Sequence, residues 1–389
     1  MAQIYNLDHA AGAPLNKDTK KAISDFLEKP FYNIDSSYEP AVKLRRYLTD
    51  LRSKTAKLIG VKTPNIFITN GSSDATNMLF DLLSSADQNS EILTTNIEHS
   101  SLIDQLNKFK QSVFLSIDPK DLIDLTELKS LITNTTLLVS IQYVNNETGQ
   151  VFPIKEVSEI IKQIKQDRIK RGVKLPIFLH TDASQAAITQ DLQIPRLGVD
   201  TMSLNGSKFG ALPNSGILYL SADLLRFLDN KNIKVLERKQ NPLSVISLYH
   251  SLNNSISKKN TELKRLLNLS SSFWSEFNKL IPESQLNPIG LKIGKKHSPH
   301  ILNIYIPKVS GEKLVILAGL NNILISTGAA CSASKDKPSH VLESLGLSLD
   351  QINSSIRVSF GSANKSAKEV KNAAAKLAKL CQNESVKIS

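Results

Sequence analysis

The sequence predicts an α/β fold: a large domain built on a mostly parallel sheet between helices, followed by a smaller α+β domain. Three observations predict it. Short apolar runs alternate with helical patterns through the first two thirds of the chain, one long helical pattern then takes over, and the last stretch mixes strand and helix again. Alternation of this kind argues for parallel strands, because each crossover lays a helix on a face of the sheet. At 389 residues, 41% hydrophobic and 22% charged, the chain has room for about two domains of roughly 100 to 200 residues each.

Taken in order, "NIFIT" (65–69), "EILTT" (91–95), "SVFLSI" (112–117), "TLLVSIQYV" (136–144) and "PIFLHT" (176–181) read as strands, with "GILYLS" (216–221) closing the series. Helix-like segments at 74–84, 98–109 and 153–170 lie between them. A long helix follows over 242–277. The compact α+β segment then contains "ILNIYI" (301–306), "KLVILAGL" (313–320), "SSIRVSF" (354–360) and a closing helix over about 366–382. The domain boundary is expected near 255: residues 16–254 form the large domain, and 1–15 with 255–389 form the small one. No internal repeat or low-complexity linker is visible.

Composition narrows the function classes. The first residues, "MAQIYNLDHAAGAPL", show no charged region followed by an apolar run, and no stretch approaches the roughly 18 apolar residues of a membrane span. Two cysteines cannot staple a fold of this size, and Cys381 lies in the polar tail "LCQNESVKIS". A cytoplasmic protein with free thiols is expected. The net charge of +12 is densest in "IKQIKQDRIKRGVK" (161–174), where Ile160, Ile161, Ile164 and Ile169 recur at near-helical spacing. The basic residues there read as the wet face of an amphipathic helix. Aromatics make up only 6% of the chain and no nucleic-acid motif accompanies the charge, so a nucleic-acid partner is not expected.

In parallel sheets, ligands sit beyond the carboxyl ends of the strands. Four strand-terminal motifs carry polar residues there. "ITNGSSDATN" (68–77) is a strand, a Gly turn and a helix start, so the N–H groups and hydroxyls of Ser72 and Ser73 can hold an anion or serve as ordinary helix caps. "YVNNETG" (143–149) ends a strand in paired amides, which include Asn146 and are also turn formers. "HTDASQAA" (180–187) places Asp182 at a strand end, with Gln185 three residues on; an acid there can hold a protonated nitrogen or cap the next helix. "SLNGSKFGA" (203–211) sets Lys208 in a loop whose small neighbours admit a ligand close to its amine. In "SIRVS", Arg357 is a guanidinium in an otherwise apolar strand; its planar fork suits a carboxylate, and a buried ion pair is the other reading.

The order and spacing of anion loop, His99, Asn146, Asp182 and Lys208 resemble the fold-type I enzymes that use pyridoxal phosphate. "LDHAAGAPL", "GSSDATN", "IEHSSLID", "SIQYVNNETGQV", "HTDASQA", "MSLNGSK", "STGAACSAS", "KPSHVLESLG" and "SSIRVSFG" resemble, in that order, the cysteine desulfurases of the NifS and IscS group over about residues 4–384. The resemblance implies that Lys208 holds pyridoxal phosphate as a Schiff base and Asp182 keeps its ring nitrogen protonated. It also implies that His99 stacks on the ring and moves protons, Gln185 bonds the ring phenolate and Asn146 lies near ring and substrate. Arg357 would take the carboxylate of L-cysteine. Cys331, in the loop "STGAACSAS", would be the sulfur-accepting nucleophile, with Lys335 and Lys337 nearby as cations that favour the thiolate. A homodimer and a sulfur-acceptor protein, an iron–sulfur scaffold or a sulfurtransferase, are the implied partners.

The chain departs from that family's pattern in two places. Asn205 and Ser207 stand where members usually carry Ser and His before the Schiff-base lysine, and both can still donate to a phosphate. The Gly-rich stretch with an Arg-Ser-Gly-Thr run is absent; "NKNIKVLERKQNPLSVI" replaces it, with Arg238 and Asn241 as remnants. Two alternatives therefore stand beside the desulfurase: a lyase for selenocysteine or another amino acid, and a non-catalytic paralogue acting as a binding subunit.

Overall fold

A computed structural model describes residues 3–119, 122–236, 240–327 and 338–385. The strands are β1 (Tyr5–Asn6), β2 (Ile66–Thr69), β3 (Glu91–Thr95), β4 (Gln111–Leu115), β5 (Ile117–Asp118), β6 (Leu122–Ile123), β7 (Thr136–Ser140), β8 (Phe178–Asp182), β9 (Thr201–Asn205), β10 (Gly216–Leu220), β11 (Gln285–Leu286), β12 (Ile301–Tyr305), β13 (Ile323–Leu324) and β14 (Ser355–Ser359). The helices are α1 (Lys17–Leu27), α2 (Glu39–Leu58), α3 (Ser72–Asp87), α4 (Ser100–Ile103), α5 (Leu125–Leu131), α6 (Ile154–Lys170), α7 (Ile194–Leu197), α8 (Ala222–Asn230), α9 (Pro242–Leu280), α10 (Gly311–Leu320), α11 (His340–Ser344), α12 (Leu349–Asn353) and α13 (Ala367–Ser385).

Seven strands form the main sheet in the order β2-β10-β9-β8-β7-β3-β4. Only β10 runs against its neighbours. Successive residues on each strand feed opposite cores, as the two-residue period of a strand requires. Leu93, Val139, Leu179 and Ile217 pack with Val157 and Ile161 of α6 on one face. Ile92, Leu138, Phe178 and Leu218 pack with Leu79 and Leu83 of α3 and Leu224 of α8 on the other. A sheet buried on both faces explains why its strands read as unbroken apolar runs.

A second core gathers Tyr5 and Leu7 with Leu302, Ile304, Ile356, Val358 and the α13 face from Val370 to Cys381. The 39-residue α9 runs unbroken through position 255 and serves both cores. Its first half inserts Leu248 and Leu252 beside the main sheet. Its second half inserts Leu266, Leu269, Phe273 and Phe277 into the second core.

Several sequence expectations are corrected here. The helix expected over 98–109 is the short α4, a turn, and a 3-10 segment at Leu106–Lys108. The chain turns there to bury Phe109 edge-on against Phe80, with ring centroids 5.9 Å apart. The run at 112–117 divides between β4 and the small β5–β6 hairpin. Cys381 is not in an open polar tail but is a buried thiol on the inner face of α13, and burial pushes it up to about 12.

The basic stretch at 161–174 is only partly a wet face. Arg168 is 3% exposed and donates to the backbone oxygens of Thr133, Thr136 and Leu175. Lys165 pairs with the buried Asp200 at 2.6 Å, while Ile169 of the expected apolar stripe is 78% exposed. Among the described residues, no helix is long and apolar enough to cross a membrane.

Candidate active site

The parallel strands deliver the sequence-predicted residues to one edge of the sheet. Thr69 at the end of β2 and Asn205 at the end of β9 both lie in register with Gly216, so their following loops are neighbours. Asp182 at the end of β8 lies opposite Ser203 of β9. The loops after β3 and β7 bring His99 and Asn146 to the same edge.

At the β2–α3 junction, Gly71 adopts φ +117°, a conformation that side chains rarely take, and no side chain caps the 16-residue α3. Gly216 permits the close approach of β10, since a Cβ there would lie 2.6 Å from the Gly71 Cα. A Cβ at Gly71 would instead face the Asn205 amide at 3.8 Å. The start of α3, carrying the buried Ser72 and the exposed Ser73, thus offers an anion a positive helix end and a neighbouring amide donor. Asn205 is also a cap: its Oδ1 accepts from the Ser207 backbone at 3.2 Å and hydroxyl at 2.9 Å.

Lys208 follows directly and donates from Nζ to the Ala11 carbonyl at 2.9 Å, while Ala13 N–H donates to Ser207 O. The N-terminal segment is in this way tied to the lysine loop. Asp182 accepts from the Ser184 backbone at 2.8 Å, and the Ser184 hydroxyl accepts from Asn205 N–H at 3.0 Å, which braces the two strand ends. Gln185 is 4% exposed; its Nε2 donates to Ala10 O and its Oε1 accepts from His300 Nε2 at 3.1 Å.

His99, half-buried, is the N-cap of α4. Its Nδ1 accepts from the Ser101 backbone at 3.2 Å and lies 2.8 Å from the Ser101 hydroxyl, so the neutral ring carries its proton on Nε2. Arg357 is 3% exposed and realises the ion-pair reading: Nη2 lies 3.0 Å from Asp8 Oδ1, and Nη1 donates to Asn146 O at 3.0 Å. The Asn146 backbone thus meets the guanidinium, while the turn-forming amide is Asn145, whose Oδ1 accepts from the backbones of Glu147 and Thr148.

Cys331, Lys335, Lys337 and Arg238 lie outside the described residues. Both flanks of the cysteine segment meet the site. Ser326 pairs through its backbone with Arg357, and on the far side Ser339 donates to Glu147 Oε2 at 2.6 Å while His340 Nε2 donates to Glu98 O at 2.9 Å. Asn241 caps α9 by accepting from Leu243 N–H.

Sequence reasoning missed two buried carboxyls and their partners. Burial pushes Glu98 up to about 8, although Gln142 N–H and the Thr95 hydroxyl both donate to its Oε1. Burial also raises Glu147, against the pull of Ser339, Arg357, His340 and His99. The signal was present in "IEHSS" and "NNETG", each of which sets an acid beside a residue already singled out. His300 carries no comparable signal.

The arrangement can hold an anion at one end, a protonated nitrogen at Asp182, an electrophile at Lys208 and a carboxylate at Arg357. The family model for class-V aminotransferases matches residues 4–234. The chain is 29% identical to the putative cysteine desulfurase IscS 1 of Bacillus subtilis, covering 96% of this chain and 97% of the relative. It is 30% identical to the cysteine desulfurase IscS of Buchnera aphidicola, covering 91% and 87%. Among solved structures, a NifS-like protein superposes with a TM-score of 0.83 at 20% identity over 98% of this chain and all of that one. SspA in complex with cysteine superposes at 0.71 with 22% identity, over 92% and 99%.

Proposed function

The chain belongs to the class-V aminotransferase family, and on that premise we propose that it is a pyridoxal-phosphate-dependent cysteine desulfurase that converts L-cysteine to L-alanine. The observation that carries this reading is the meeting of Lys208, Asp182 and the uncapped start of α3 at one sheet edge. These groups fit the cofactor: an anion cradle for its phosphate, an amine for its aldehyde and an acid for its ring nitrogen. When bound, pyridoxal phosphate supplies an electron sink for bond cleavage at the substrate.

In this reading Ser72, Ser73, Asn205 and Ser207 would donate to the phosphate, and Lys208 would supply the amine that holds the cofactor's aldehyde carbon. Asp182 holds the ring nitrogen protonated. Gln185 donates to the phenolate oxygen. His99 covers the ring and moves protons through Nε2, since Nδ1 is engaged by its own helix. Arg357 takes the substrate carboxylate beside Asn146, in exchange for its contact with Asp8. The Cys331 thiolate attacks the substrate sulfur; the sulfur–carbon bond breaks, its electron pair stays with the carbon, and the sulfur remains on Cys331 as a persulfide. The carbon is then protonated to give alanine.

Residues 16–254 act as the cofactor-binding domain, and residues 1–15 with 255–389 as the domain presenting Cys331 and Arg357. The working form is a cytoplasmic homodimer that passes sulfur to an acceptor protein for iron–sulfur or thio-cofactor assembly. The anchoring of the Cys331 segment at Ser326 and Ser339 supports delivery of the thiol to the site.

The test is the absorption spectrum of the purified protein with pyridoxal phosphate, followed by L-cysteine with alanine and sulfide assayed. A visible band lost in Lys208→Ala, with alanine formation lost in Cys331→Ala, is expected. Alanine formation that survives Cys331→Ala overturns persulfide chemistry in favour of a general lyase. Protein that takes up no cofactor overturns the enzyme.

A further inference from the structure

A buried hydrogen-bond chain runs from Thr189 through Ser298 and His300, in the segment preceding β12, and ends on Gln185. Thr189 Oγ1 lies 2.5 Å from Ser298 Oγ, and Ser298 Oγ lies 2.7 Å from His300 Nδ1. His300 Nε2 lies 3.1 Å from Gln185 Oε1. At the outer end, Gln190 Nε2 donates to Thr189 Oγ1 at 3.1 Å.

Donor and acceptor roles allow one direction through this chain. The Gln185 carbonyl oxygen can only accept, so the His300 proton is on Nε2. His300 Nδ1 therefore accepts from the Ser298 hydroxyl, whose oxygen accepts from the Thr189 hydroxyl. His300 is 0% exposed, and burial pushes its ring down to about 3, so it stays neutral with a single N–H across the working range. With its oxygen committed to His300 and one amide hydrogen on Ala10 O, Gln185 has one hydrogen left to give. An amide free to rotate would present oxygen and nitrogen to a ligand interchangeably.

We infer that His300 is a positioning residue that fixes the polarity of the Gln185 amide, so that Gln185 faces the cofactor's phenolate oxygen as a donor and never as an acceptor. The inference rests on the proposed function. It also assigns a task to the segment preceding β12: that segment sets a hydrogen bond at the edge of the main sheet. Loss of the fixed donor weakens the interaction with the charged phenolate, which raises the pH at which the bound cofactor's absorption titrates.

The experiment uses the full chain and reads two properties other than turnover: the affinity of the apoprotein for pyridoxal phosphate, and the pH midpoint of the bound cofactor's absorption. His300→Phe is expected to weaken affinity roughly tenfold and to raise the midpoint by about one unit. His300→Gln, which keeps a donor, is expected to restore both. Gln185→Leu should reproduce the His300→Phe effects and should abolish any further effect of adding His300→Phe. If His300→Phe does not fold, Ser298→Ala, which frees the His300 tautomer, carries the test with the same direction of change. Unchanged midpoints in these variants overturn the inference, as do equal effects of His300→Phe with and without Gln185. Failure of the wild-type chain to bind pyridoxal phosphate overturns the proposed function instead.

Discussion

Arg357 and Asp8 meet at 3.0 Å, a guanidinium from β14 and a carboxylate from the N-terminal segment, with side chains 4% and 25% exposed. A substrate carboxylate arriving at Arg357 competes with Asp8 for the same fork. Asp8→Asn is expected to lower the KM for L-cysteine several-fold while destabilising the free protein by about 1–3 kcal/mol, because the buried guanidinium loses its counter-charge. Arg357→Lys is expected to raise KM roughly 10- to 100-fold through loss of the bidentate geometry. Steady-state kinetics and thermal melts check both; a higher KM in Asp8→Asn makes Asp8 part of the substrate site.

His99 combines two roles that one substitution can separate. Asparagine is as good a helix cap as any residue but cannot move protons near neutral pH. His99→Asn is expected to leave the melting temperature unchanged and to lower kcat by roughly 10²- to 10⁴-fold. A comparable loss of stability would mean that the ring serves the α4 cap alone.

Glu98 gives stability a defined pH dependence. Its folded value, about 8, lies above its ordinary value of 4.5. Between these limits the unfolded chain has lost the proton and the folded chain keeps it, so this group makes the protein less stable as pH rises from 4.5 to 8. Glu98→Gln keeps the accepting oxygen that serves Thr95 and Gln142 and removes the titration. The variant should melt several degrees above wild type at pH 8, with the difference vanishing near pH 4.5. Thermal melts across that range check this; parallel curves for both proteins would contradict it.

Arg168 tests what the dense basic stretch is for. It donates to three backbone carbonyls from within α6. Arg168→Met is expected to cost about 2–4 kcal/mol of stability by leaving buried carbonyls unpaired, with the KM for L-cysteine unchanged at temperatures where the variant is folded. Chemical denaturation and kinetics measure the two effects separately.

Sequence legibility differed between elements for identifiable reasons. Strands β3, β7, β8 and β10 were readable because a sheet covered on both faces needs continuous apolar runs, and α6 and α9 because their apolar periodicity is long. The 98–109 segment was misread because Phe109 packs against Phe80, a contact 29 positions away that overrides local periodicity. Lys208, Asp182 and the Gly71–Ser73 turn stood out as unusual polar residues at strand ends. His300 and Asp8 did not, since nothing local marks either as facing Gln185 or Arg357.

The sequence by itself determined the order of strands and helices, the strand-end placement of the polar residues and the family pattern that joins them, because those depend on local periodicity and on spacing along the chain. Only the tertiary structure decided how those groups are held. It paired Arg357 with Asp8, turned His99 Nδ1 into its own helix, committed the Gln185 oxygen to His300 and left Glu98 and Glu147 buried. These are contacts between distant segments, mostly out of water, and their protonation and polarity are set by burial and partners that no local pattern encodes.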